Sequence, residues 1–102
     1  MAFHKTYPKS GKKCKVTFEL AKEATVGAKK VALVGDFNDW SETATMMKKN
    51  EDGFFSVTIQ LEQHREYQFR YLIDGCRWEN DWDADKYVPS QGYNVDNSVI
   101  IV

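Results

Sequence analysis

The sequence is short of several things, and each shortage excludes a class of protein. Only two cysteines, Cys14 and Cys76, occur in 102 residues. They cannot build the dense disulfide scaffold of a small secreted domain, so both are expected as reduced thiols. No apolar run approaches the length of a membrane-spanning helix. Residues 1–15 carry lysines but no apolar stretch, so no secretory signal is expected and the default location is cytoplasmic. The formal net charge is only −1, which gives no global field to hold a polyanion and argues against nucleic acid as the partner. His4 and His64 stand apart from each other and from the cysteines, so there is no zinc pattern. Asp81, Asp83 and Asp85 alternate like the start of a calcium loop. Lys86 and Gly92, however, fall where such a loop needs glycine and glutamate, so a solvated acidic loop is expected, with no metal and no cofactor.

What the chain does have is an ordinary globular balance, 42% hydrophobic and 28% charged, with aromatics high at 14%. Its length suits one domain with one core. Residues 1–13, with Lys5, Lys9, Lys12, Lys13, Pro8 and Gly11, read as a loosely ordered arm. From residue 14 the period is two. Cys14, Val16, Phe18 and Leu20 face one way, with Lys15, Thr17 and Glu19 opposite, as in a half-buried antiparallel strand. Residues 21–29 read as a polar connection, too short for more than a helical turn. Residues 30–35 form a second strand. Met46 and Met47 are expected to tuck against the core. Asp52-Gly53 signals a hairpin turn. Residues 54–61 place Phe55, Val57, Ile59 and Leu61 on one face. Residues 66–73 place Tyr67, Phe69, Tyr71 and Ile73 inward and Gln68, Arg70 and Leu72 outward. Asp74-Gly75 signals a second hairpin, with a returning strand near residues 76–79. Residues 80–92 lack periodicity and read as a long surface loop. Val99, Ile100, Ile101 and Val102 close the chain as a strand. Short strands, frequent turns and no convincing helix give an all-β, antiparallel β-sandwich over residues 14–102.

The stretch around which the rest is organised is Val31, Ala32, Leu33, Val34, Gly35, Asp36, Phe37, Asn38, Asp39, Trp40. A β-branched run ends at a Gly-Asp turn and a polar loop carrying a tryptophan. An indole in that place either folds back as a lid on the core or stays out and offers a flat apolar face. A sugar ring has one such face, made of C–H groups, and stacking would bury apolar area on both sides. Arg70, on the outer face beside Gln68, is either a forked donor to vicinal hydroxyls or half of a cross-strand ion pair. Trp82 is either a further aromatic contact or a loop anchor, and Asn97 either a hydroxyl ligand or a turn residue.

The order of these motifs — the Gly-Asp-Phe-Asn-Asp-Trp stretch ending at Trp40, residues 67–75, Trp78, then Asn97-Ser98-Val99 — resembles the family 48 carbohydrate-binding module. That family includes the immunoglobulin-like early-set domain of isoamylases and branching enzymes, and the glycogen-binding domain of the AMP-activated protein kinase β subunit. The resemblance spans about residues 14–102 and implies an immunoglobulin-like early-set sandwich that binds α-glucan (glycogen, starch or maltooligosaccharide). By that resemblance Trp40 and Trp78 stack on glucose rings, while Arg70 and Asn97 hydrogen-bond hydroxyls. Two departures stand out. Cys76-Arg77 places one residue more before Trp78 than the kinase subunit has, and the 80–92 loop is longer. Tyr93 and Val88 are the candidates for the family's sugar-inserting leucine. Glycoside hydrolysis needs two carboxylates across a cleft, and in the resembling enzymes the catalytic barrel is a separate domain, so a non-catalytic module is expected. The competing reading is a protein-interaction module that docks on a glycogen-metabolising enzyme, its sugar site degenerate, using open sheet edges. Exposure of Trp40 and Trp78 beside Arg70 favours the sugar; their burial favours docking.

Overall fold

A computed structural model describes residues 2–9, 11–90 and 95–102. In the described residues the strands are β1 (Ala2–Thr6), β2 (Lys13–Leu20), β3 (Val31–Gly35), β4 (Lys48–Lys49), β5 (Phe55–Glu62), β6 (Glu66–Ile73), β7 (Arg77–Glu79), β8 (Lys86–Pro89) and β9 (Asp96–Ile101). The chain is an immunoglobulin-like antiparallel β-sandwich. One sheet has the order β1-β2-β5-β4; the other runs β3-β6-β9-β8, with β7 also paired to β6. The alternation expected for β2, β5 and β6 sets the inner faces. Cys14, Val16, Phe18 and Leu20 meet Tyr67, Phe69, Tyr71 and Ile73 in one buried cluster. Phe18 and Phe69 pack edge-to-face, with ring centroids 5.2 Å apart, a geometry that aromatic quadrupoles prefer. Met47 is buried in this core, whereas Met46 stays 41% exposed. Cys14 is buried and Cys76 exposed, and both are free.

Three expectations need correction. Ala2–Thr6 is not part of a loose arm but an edge strand in register with β2, Phe3 opposite Phe18. Its single inward aromatic packs on Phe18 and Phe69, and Lys5 Nζ lies 2.8 Å from Asp85 Oδ2. The 80–92 stretch is not all loop, because Lys86–Pro89 pairs with β9. Pro89 is tolerated there because β8 is an edge strand, where a missing N–H costs little. Nor is the acidic run solvated throughout. Asp81 is fully buried. Its Oδ2 accepts the Tyr71 hydroxyl at 2.7 Å, its Oδ1 accepts the Asp83 N–H at 2.8 Å, and its own N–H donates to Ser98 Oγ at 2.9 Å.

This buried carboxyl predicts a pH dependence. Burial pushes the Asp81 pKa above the ordinary 3.8. The exposed Asp74 shifts the other way, held down by the backbone N–H groups of Lys30 and Lys29 that it accepts. A raised carboxyl binds more protons folded than unfolded, so its contribution falls as pH rises from the ordinary value through the folded one. A lowered carboxyl contributes above the ordinary value, and that contribution is lost as pH falls through the folded pKa. Together the two place a stability maximum near the ordinary aspartate pKa. Urea unfolding from pH 2.5 to 7 should show it. Asp81→Asn should flatten the fall on the alkaline side, and an unchanged slope in that variant would refute the assignment.

Candidate functional site

The outer face of the β3-β6-β9-β8 sheet carries the site. Along β6 the residues alternating with the core row are Gln68, Arg70 and Leu72. Val34 lies opposite Arg70 and Ala32 opposite Leu72 in the β3–β6 register. On the other edge of β6, β9 pairs as far as Phe69 and β7 begins at Tyr71. Arg70 therefore sits at the junction of three strands. Trp78 pairs with Leu72 and so projects on the same face as Arg70.

The direction of Trp78 depends on its turn. A two-residue Asp74-Gly75 hairpin would pair Ile73 with Cys76 and set Trp78 opposite Tyr71, facing inward, because a one-residue slip flips every side chain. The chain instead uses a three-residue connection, in which Ile73 pairs with Arg77. Asp74 and Gly75 both take left-handed backbone, at φ 54° and 72°. Asp74 and glycine tolerate that region best.

Trp40 reaches the same face from the end of β3. A Cβ on Gly35 would lie 2.5 Å from the Gln68 carbonyl oxygen, so only glycine lets the chain turn this close to β6. Asn38 then ties the loop down, its Nδ2 donating to the Leu33 carbonyl at 2.9 Å and to Thr45 Oγ1 at 3.0 Å. Asp39 and Trp40 both have φ 56°. For a bulky side chain this is costly, on the order of 1–3 kcal/mol, and such strain collects at functional sites. It is held by the Trp40 N–H bond to the Gly35 carbonyl, 2.9 Å, and by Asp36. One oxygen of the Asp36 carboxylate accepts the indole N–H at 2.8 Å; the other accepts the Gln68 backbone N–H at 2.8 Å. The ring is half-buried against Ala32, Val34 and Leu72. The indole thus covers a small outer cluster, as a lid would, and also lines a groove on the outer face.

The Arg70 guanidinium lies 5.9 Å from the Trp40 ring centroid and 4.9 Å from that of Trp78. Trp78 is 39% exposed. Trp40, Arg70, Trp78 and Glu42 line a groove of about 430 Å³. Arg70 forms no ion pair among the described residues, and its Nε is buried without a hydrogen-bond partner. Asn97 shares the face but does not line this groove. It donates through Nδ2 to Gln68 Oε1 at 3.0 Å, leaving its buried Oδ1 unpartnered. Val88 pairs with Asn97 in the β8–β9 register, whereas Tyr93 lies outside the described residues. Trp82 donates its indole N–H to Glu79 Oε1 at 3.3 Å and does not line the groove. Asp36, Gln68 and Glu42 were missed from sequence.

The described residues thus form a small antiparallel sandwich with a groove between two indoles on one sheet face. The family model described as the glycogen recognition site of AMP-activated protein kinase matches residues 8–102, and the chain belongs to that family of carbohydrate-binding modules. No curated protein matches it.

Proposed function

We propose that this chain is a non-catalytic α-glucan-binding module that takes glycogen, starch or maltooligosaccharide on its outer sheet face. Trp40 and Trp78 stack on glucose rings, Arg70 donates to hydroxyls between them, and Asn97, on the same face, is the further residue assigned to a hydroxyl. The observation that carries this reading is the Arg70 guanidinium held between two partly exposed indoles, without an ion pair among the described residues. An unpaired guanidinium beside apolar faces suits a hydroxyl-rich ligand. The glucan class rests on family membership. Of the two indoles, Trp78 is exposed and Trp40 half-buried, and both flank Arg70; the exposed one supports the sugar over a docking module with a degenerate site.

A shallow, wet groove binds weakly, with Kd of about 10 µM to 1 mM, or about 4–7 kcal/mol. Branched polymers raise the apparent affinity through multivalency when several copies act together. Calorimetric titration with maltoheptaose, with cellohexaose as control, tests the proposal. Saturable binding of the α-linked oligosaccharide alone is expected. No heat of binding up to about 10 mM ligand, which caps affinity below roughly 3 kcal/mol, would overturn it.

A further inference from the structure

Glu42 lines a second hollow as well, of about 210 Å³, together with Lys30, Ala32, Thr43, Met46 and Leu72 among others. Its position follows from the strand pairing. Ala32 and Leu72 face each other across β3 and β6, and Met46 bridges to Ala32 from the segment that follows the Trp40 loop. That segment is fastened to the outer edge of β3 by the Leu33 N–H to the Thr45 carbonyl, 2.8 Å, and the Met47 N–H to the Val31 carbonyl, 2.8 Å. These two bonds fix the Met46 side of the wall to β3. Ser41 Oγ, accepting the Thr43 and Ala44 N–H groups, shapes the turn between groove and hollow.

The chemistry of the hollow repeats that of the groove. Its floor is apolar, made by Ala32, Leu72 and the half-exposed Met46. Its rim carries the Lys30 ammonium, the Glu42 carboxylate and the Thr43 hydroxyl. Among the described residues none of these three side-chain groups forms a hydrogen bond or an ion pair, although Lys30 and Glu42 are of opposite charge. Apolar surface ringed by unspent donors and acceptors suits an amphipathic ring with hydroxyls at its edge. It suits neither an anion, which Glu42 repels, nor a wholly apolar ligand, which leaves the rim unpaired.

The geometry points to this hollow as an added subsite, in which a glucan already stacked at Trp40 and Trp78 places a further glucose residue past Glu42. The inference rests on the α-glucan reading of the groove and adds a chain-length preference. A short oligosaccharide takes the aromatic groove, where stacking dominates, and gains nothing from Lys30 or Thr43. A longer one spans both and gains hydrogen bonds at the rim.

The test is calorimetric titration of wild type, Lys30→Met and the Lys30→Met/Thr43→Val pair with maltotriose and with maltoheptaose. Lys30→Met keeps the aliphatic stem and removes the donors, and the backbone bonds of Lys30 to Asp74 do not involve its side chain. Thermal unfolding confirms that each variant is folded. The expected result is a loss of about three- to ten-fold in maltoheptaose affinity, as for one or two hydrogen bonds, with maltotriose affinity unchanged. Equal losses on both ligands, or none on either, would overturn the subsite and leave the aromatic groove standing. Failure of wild type to bind either ligand would overturn the glucan reading and the subsite with it.

Discussion

Phe69→Ala should cost about 3–5 kcal/mol of folding stability, the range for a large aromatic lost from a core. A domain of this kind has only about 5–15 kcal/mol in total, so the variant should sit near the edge of folding at 37 °C. Phe69 is completely buried and is the ring through which both sheets meet. Phe18 and Phe3 approach it from the opposite sheet at centroid distances of 5.2 and 6.2 Å. Phe37, from the turn after β3, and Tyr71 reach it at 6.4 and 5.7 Å. Those neighbours are fixed by two independent strand ladders, so the walls cannot close on the void, and it is this failure to relax that makes a cavity expensive. Phe3→Ala should cost clearly less, because Phe3 is only partly buried on edge strand β1. Urea unfolding of the two variants measures the difference. A Phe69→Ala cost below about 1 kcal/mol would mean that the sheets slide together more freely than their registers imply.

The inner half of this fold was legible because burial on one face imposes a period of two. β2, β5 and β6 each show it, and their inner rows are the core. What escaped was set at the margins. β1 offers one inward aromatic, Phe3, among His4 and Lys5. Its strand character comes from pairing with β2 rather than from a pattern of its own. β8 is short, contains Pro89 and follows three aspartates. Asp81 could not be read as buried, since a carboxyl goes inside only where partners wait, and its partners Tyr71 and Ser98 come from other strands. Within the site, Trp40, Trp78 and Arg70 were readable as motif residues, and the structure gathers them on one face. The residue count between Gly75 and Trp78 left the direction of that indole to the turn, and the three-residue connection turns it outward. Asp36 was invisible as a partner of Trp40 because the left-handed backbone at residues 39 and 40 is what brings its carboxylate to the indole N–H.

Trp40→Ala should weaken maltoheptaose binding by about 2 kcal/mol or more, roughly thirty-fold, as expected of a central aromatic anchor. From the proposed starting range this moves Kd to about 0.3–30 mM. The size of the effect has two parts. The ring supplies most of the apolar area available to a stacked sugar on the β3 side of the groove, and it is one of the two faces that hold the Arg70 guanidinium, a contact worth about 0.5–2 kcal/mol. Without the indole the guanidinium keeps only the Trp78 face. Stability should move separately from binding. Alanine gives up the packing on Ala32, Val34 and Leu72 but still carries a Cβ in left-handed backbone. Trp40→Gly gives up the same packing and recovers about 1 kcal/mol of strain. The glycine variant should therefore be the more stable of the two while binding no better. Paired calorimetry and thermal unfolding on both variants test this. If Trp40→Ala binds as wild type does, the groove is not where the glucan sits, however well the rest of the sheet is folded.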